Sequence, residues 1–192
     1  DLYLIHAPFP AHHRLEQWQA LVDSLELGKV RSIGVSNFNT SHIEEIKNNN
    51  LPLPDANQIE LHPWSQKPGL VSYLTRNKIL PIAYSSLLPL SNWRDVAGQS
   101  AKTKAMKAYD TREDSPFKIM AKKYGITEAQ VLLRWGLQKG FPVLPKSTND
   151  IRIEQNIDLF EFEIDDVDMT TIGKMDMGDG IAWSMGDPTN VV

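Results

Sequence analysis

Short apolar runs alternate with stretches of helical spacing along the whole chain. Residues 2–5 form the first such run, and Pro8 and Pro10 stop it. Leu15, Trp18, Leu21, Val22 and Leu25 then recur at helical spacing, and Gly28 closes that helix. A second strand is expected at 30–35, broken by Ser36-Asn37-Phe38-Asn39. Thr40 or Ser41 is placed to cap the next helix, with Glu44 three residues after Ser41 as a capping box. Strands are expected again at 56–61 and 79–84, separated by a helix marked by Leu70, Tyr73 and Leu74. Pro116 opens a helical region reaching Tyr124, and Thr127 caps a further piece carrying Val131, Leu132, Trp135 and Leu137. Residues 141–145 make a fifth strand, a helix follows from about 150, and another is expected at 164–174.

Strict alternation of strands and helices makes an α/β protein with a parallel sheet and right-handed crossovers. Short buried strands with polar residues just after each carboxyl end point to a (β/α) barrel, whose site lies at that face. The alternative, a doubly wound open sheet, calls for a Gly-rich dinucleotide turn, which is absent from the sequence. Two stretches fall outside the alternation: an irregular loop at 88–114 and a tail at 175–192 that contains Trp183. Loops as long as the first are usually functional or mobile.

The chain has 192 residues, 41% of them hydrophobic, enough to bury a core, and its formal charge of −4 argues against nucleic acid as a partner. No apolar run is long enough to span a bilayer, so no membrane role is expected. Zero cysteines exclude disulfides and thiolate metal sites and fit a cytoplasmic protein. No metal site is expected: His62 has no second His or carboxylate beside it at metal spacing, and a structural strand-end role suits it better.

The densest chemistry lies at 142–156. Lys146, Ser147 and Thr148 follow a strand and precede a helix whose first turns carry Arg152 and Asn156. Helix-start amides, the positive end of the helix dipole and two cations suit an anion such as phosphate. An ordinary capped helix with two surface cations is the competing reading.

Taken together, the strand ends are Leu2-Tyr3-Leu4-Ile5-His6, Gly34-Val35-Ser36-Asn37-Phe38, Asn57-Gln58-Ile59-Glu60-Leu61-His62-Pro63, Ala83-Tyr84-Ser85 and Pro145-Lys146-Ser147. In that order and at those intervals they strongly resemble the aldo-keto reductases over essentially the whole chain. The resemblance implies a (β/α)₈ barrel enzyme passing hydride between NADP(H) and a small carbonyl or alcohol. By the same resemblance, His6 matches the histidine that orients the substrate carbonyl. Ser36, Asn37 and Gln58 match residues that bond the nicotinamide carboxamide, and Tyr84 matches the aromatic under its ring. Ser85 and Leu87 match pyrophosphate-side contacts, while Lys146, Ser147, Thr148 and Arg152 match the 2′-phosphate pocket. Gln155 and Asn156 match the adenine-side pair. Ala7, Trp64 and Trp183 would line the substrate side, with a packed core role competing for Trp64 and a surface-packed role for Trp183.

Ala7 stands where the family usually has Trp, Ser86 where it has Pro, and Gln155 where it has Glu. The family's catalytic Asp, Tyr and Lys belong to its first three strand–helix units and find no match here. The chain also opens inside a strand-like run, without Met, so it is expected to be a truncated portion holding about five of eight units and inactive alone. Barrels of this kind run to about 250 residues. Five strands cannot close one, and the open edges invite self-association or a protein partner. The rival reading is therefore a non-enzymatic, partner-binding subunit derived from the reductase fold.

Overall fold

The computed structural model describes residues 1–90, 114–178, 180, 182–183 and 186–191. The body of the expected 88–114 loop lies outside them; its first residues, Leu88–Leu90, form a single 3₁₀ turn. The chain divides into two compact units, one comprising 1–59, 67–82 and 182–192, the other 60–66 and 83–181.

Four strands form one sheet in chain order: β1 (Leu2–Ile5), β2 (Ser32–Ser36), β3 (Ala56–Glu60) and β4 (Leu80–Tyr84). β1 and β2 pair in parallel, Leu2 opposite Ser32 and Ile5 opposite Val35, and β2 continues in parallel onto β3 with Ser36 opposite Gln58. Between them run α1 (Arg14–Glu26), α2 (Thr40–Asn48) and α3 (Pro68–Arg76). Strand, helix, parallel strand is the unit expected from the alternation, and the architecture is α/β.

Local chemistry explains the first unit's element ends. Gly28, at φ +67°, turns the chain out of α1: its N–H and that of Lys29 bond back to Leu25 O and Ser24 O. α2 differs from expectation. Its cap is Asn39, whose Oδ1 accepts from His42 N, while His42 Nδ1 accepts from Asn39 N. The box is thus Asn–His, closed before Ser41 and Glu44. Gly34 sits where β2 passes close to its neighbours. A Cβ there would meet Ala56 O at 2.5 Å and Leu4 Cδ2 at 2.7 Å, so only glycine fits. Trp18, Ile33, Val35, Phe38, Ile43, Ile46 and Leu74 fill this unit's core, and the Trp18 indole N–H donates to Pro52 O.

The second unit contains α4 (Pro116–Tyr124), α5 (Glu128–Gln138), α6 (Asp150–Ile157) and α7 (Asp166–Gly173). Thr127 caps α5 as expected, in a box with Gln130. The expected fifth strand is reduced to one parallel bridge, Val143 opposite Ala83, with Ala83 N donating to Pro142 O. Pro142 and Pro145 bracket it, and neither has an N–H for a longer ladder. Leu61, Phe117, Met120, Val131, Leu132, Trp135, Phe141 and Ile172 are buried here. His62 is fully buried, its Nε2 2.8 Å from Glu60 Oε1 and its Nδ1 accepting from Trp64 N, so it is structural as expected.

Candidate active site

In the first unit the carboxyl ends of β1 and β2 and the middle of β3 are knit by side chains. Asn37 occupies the left-handed region at φ +63°, a conformation Asn tolerates better than most residues. Its Nδ2 donates to His6 O and to Ser36 Oγ, each at 3.0 Å, and its backbone N–H donates to Gln58 O at 2.9 Å. Ser36 Oγ donates to the same Gln58 O at 2.7 Å. Four of the residues singled out from sequence, His6, Ser36, Asn37 and Gln58, are therefore one hydrogen-bonded group. Ser36 and Asn37 are buried, Gln58 is half-buried and His6 is exposed.

Behind them Asn57 is fully buried. Its Nδ2 donates to Phe38 O at 2.7 Å and its Oδ1 accepts from Phe38 N at 3.4 Å. This fastens the turn after β2 to β3, so the group is held from both sides.

The imidazole of His6 lies beside Trp183, ring centroids 5.5 Å apart and tilted by 55°. Trp183 in turn meets Phe9 edge-on at 6.1 Å. Phe9 was not singled out from sequence, because its place between two prolines reads only as a strand terminator. Ala7 is buried next to His6.

The second unit carries the remaining candidates. Tyr84 ends β4 half-buried. Ser85, half-buried at φ +55°, begins the turn, and its carbonyl accepts from Leu88 N at 2.8 Å; Leu87 is half-buried too. Trp64 is buried, edge-on to His62 at 6.5 Å, and borders a cleft with Lys174, Met175 and Met177.

Further along, Ser147 Oγ accepts from Asn149 N, and Asn149 Oδ1 accepts from Arg152 N at 3.1 Å, capping α6. Lys146, Thr148 and Arg152 are exposed around this helix start, and Ser147, Gln155 and Asn156 are half-buried. The segment can meet an anion with helix-end amides and two cations.

No helix among the described residues is long and apolar enough to cross a membrane. No group of three or more His, Asp or Glu among them is placed to hold a metal ion.

The family model for the aldo/keto reductase family matches residues 1–176. Similar curated proteins include methylglyoxal reductase DkgA of Escherichia coli K12, 34% identical over 93% of this chain and 59% of that protein. Another is the NAD(P)H-dependent D-xylose reductase I,II of Candida tropicalis, 35% identical over 85% of this chain and 49% of its own. Among solved structures, a variant of Gox0644 in complex with NADPH superposes with a TM-score of 0.81 at 37% identity, covering all of this chain and 64% of that one. The chain thus spans about half to three fifths of the curated relatives it matches.

Proposed function

The chain belongs to the aldo/keto reductase family, and from that premise we propose that it is the cofactor-holding and substrate-orienting portion of an NADP(H)-dependent reductase of aldehydes or ketones. The observation that carries the cofactor assignment is the cationic start of α6. Lys146 and Arg152 stand exposed around amides organised by the Asn149 cap, a donor set that fits a dianionic phosphate.

When bound, NADP(H) supplies the hydride that converts a carbonyl carbon to an alcohol carbon. Lys146, Ser147, Thr148 and Arg152 hold its 2′-phosphate, and Gln155 and Asn156 flank the adenine. Ser85 and Leu87 serve the pyrophosphate side, and Tyr84 offers a flat face to the ring. Ser36, Asn37 and Gln58 fix the carboxamide. Asn37 also does a second job: its bond to the main-chain O of His6 holds the backbone that carries the imidazole assigned to orient the carbonyl oxygen. Ala7, Trp64 and Trp183 are assigned to the substrate side.

None of the 192 residues matches the family's catalytic Asp, Tyr and Lys, and the Tyr would be the general acid for the developing alkoxide. The 192-residue chain alone is accordingly a poor catalyst, and turnover of aldehydes at ordinary enzyme rates would refute that.

The cofactor reading is tested by Lys146→Met combined with Arg152→Met. Charge-assisted bonds of about 1.5–3 kcal/mol each predict a loss of at least tenfold in NADPH affinity. NADH affinity, measured the same way by fluorescence titration, should move by less than about threefold on this account. Equal losses for the two cofactors would overturn the assignment.

A further inference from the structure

The tail residues 186–191 are fastened to the rest of the first unit by buried polar contacts, centred on Asp187, which also caps the short 3₁₀ turn Pro188–Asn190. Asp187 has a buried carboxylate. Its Oδ2 pairs with Lys67 Nζ, and its Oδ1 accepts from Thr189 N at 3.0 Å and Thr189 Oγ1 at 2.6 Å. Lys67 Nζ also reaches Thr189 Oγ1 at 3.4 Å. Two residues later along the strap, Asn39 Nδ2 donates to Thr189 O at 2.7 Å and His42 Nε2 lies 2.7 Å from Val191 O.

Lys67 does not suit its own backbone. It caps α3 at φ +45° in the left-handed region, where glycine is the unstrained residue. Its side chain is 9% exposed although the residue begins a surface helix. A lysine kept in a strained conformation with its ammonium turned inward is explained by the carboxylate it meets.

What the strap carries is Trp183. Gly186 N donates to Trp183 O at 3.2 Å, and the Trp183 ring lies against His6 and Phe9. We propose that the Lys67–Asp187 pair is a latch that positions Trp183 beside His6 and so selects carbonyl substrates bearing a flat, apolar substituent. Lys67 is a positioning residue: it touches Asp187 and Thr189 and acts through Trp183. Trp183 presents ring surface next to His6, Phe9 meets Trp183 edge-on, and Ala7, the residue after His6, is small and buried. A flat substituent gains from such walls, while a short aliphatic one gains little. The selectivity role rests on the reductase reading above; the anchoring role does not.

The test compares Lys67→Met, Lys67→Arg and the pair Lys67→Met with Asp187→Asn, which leaves no buried charge unpaired. Hydrogen exchange reads the anchoring directly. The amides of Thr189 and Asn190 should exchange at least about tenfold faster in the Lys67→Met and double variants and near the normal rate in Lys67→Arg. Steady-state kinetics of the full natural chain with NADPH read the selectivity. KM for benzaldehyde should rise about tenfold, with kcat and the KM for propanal within about threefold. Unchanged exchange in the double variant overturns the latch. Faster exchange with both KM values raised equally, or neither raised, overturns the selectivity. If the unaltered enzyme reduces neither aldehyde, the reductase reading fails and the selectivity fails with it, while the exchange rates still decide the anchoring.

Discussion

Replacing Asn37 probes the knot on which the candidate site hangs. The residue is 1% exposed and its Nδ2 donates to His6 O and Ser36 Oγ, while the backbone sits at φ +63°. Asn37→Ala removes both donations at about 1 kcal/mol each. It also places a Cβ residue without Asn's local polar compensation in the left-handed region, for about 1 kcal/mol more. The expected loss of unfolding free energy is therefore about 3 kcal/mol. Asn37→Gly removes the same two bonds but fits the backbone, so its loss is expected to be smaller, about 2 kcal/mol or less.

Urea unfolding of the 192-residue chain, followed by tryptophan fluorescence, measures both; buried Trp18 lies in the same unit. The slope with urea should stay constant, so that the midpoint carries the change. Two results would refute the reasoning. If glycine costs as much as alanine, the backbone conformation contributes nothing. If both variants unfold within about 0.5 kcal/mol of the parent, the hydrogen bonds to His6 and Ser36 contribute nothing either, because that is the ordinary range for surface changes.

Gly34→Ala should cost about 3 kcal/mol, the upper end for overpacking, since one of the two clashing neighbours is the backbone oxygen of Ala56; a thermal unfolding curve checks it, and an unchanged midpoint would contradict the close approach. The pKa of His42 is lowered, chiefly by burial and then by the Arg14 charge, against the Val191 carbonyl and Glu45, which raise it. A depressed histidine binds its proton more readily when unfolded, so its stabilisation is complete above about pH 6.5 and is lost as pH falls below that value. Urea midpoints at pH 7.5 and 5.5 should therefore differ more in the parent than in His42→Gln.

The sheet was legible because its signal is local and redundant. Strands 2–5, 56–61 and 79–84 were expected within one residue of those observed, each a short run with turn-forming residues nearby. Where expectation and structure part, the cause is specific. Asn39, Thr40 and Ser41 are three adjacent capping residues, and Glu44 favoured the last. The observed partner is His42, a residue the usual Glu/Gln pattern does not include. Residues 141–145 have a strand's apolar content but lack its donors at Pro142 and Pro145, so hydropathy overstated them. The Lys67–Asp187 pair had no signal at all. The partners are 120 residues apart in sequence, and each reads alone as a surface charge.

The candidate site shows a subtler limit of motif reading. Its polar residues divide by what already satisfies them. Ser36 and Asn37 are buried and spend hydrogen bonds on the carbonyls and hydroxyl around them, and Asn57 does so without belonging to the candidate set. Lys146 and Arg152 are exposed, and their charges remain in water. A motif match assigns both groups to ligand binding alike, yet the first would be needed to hold the strand ends together even without a ligand. Substitutions at Ser36 or Asn37 will therefore mix lost stability with lost binding, whereas Lys146 and Arg152 isolate binding. That asymmetry makes the α6 cations the cleaner test of cofactor choice and the Asn37 pair the cleaner test of how the scaffold sets His6.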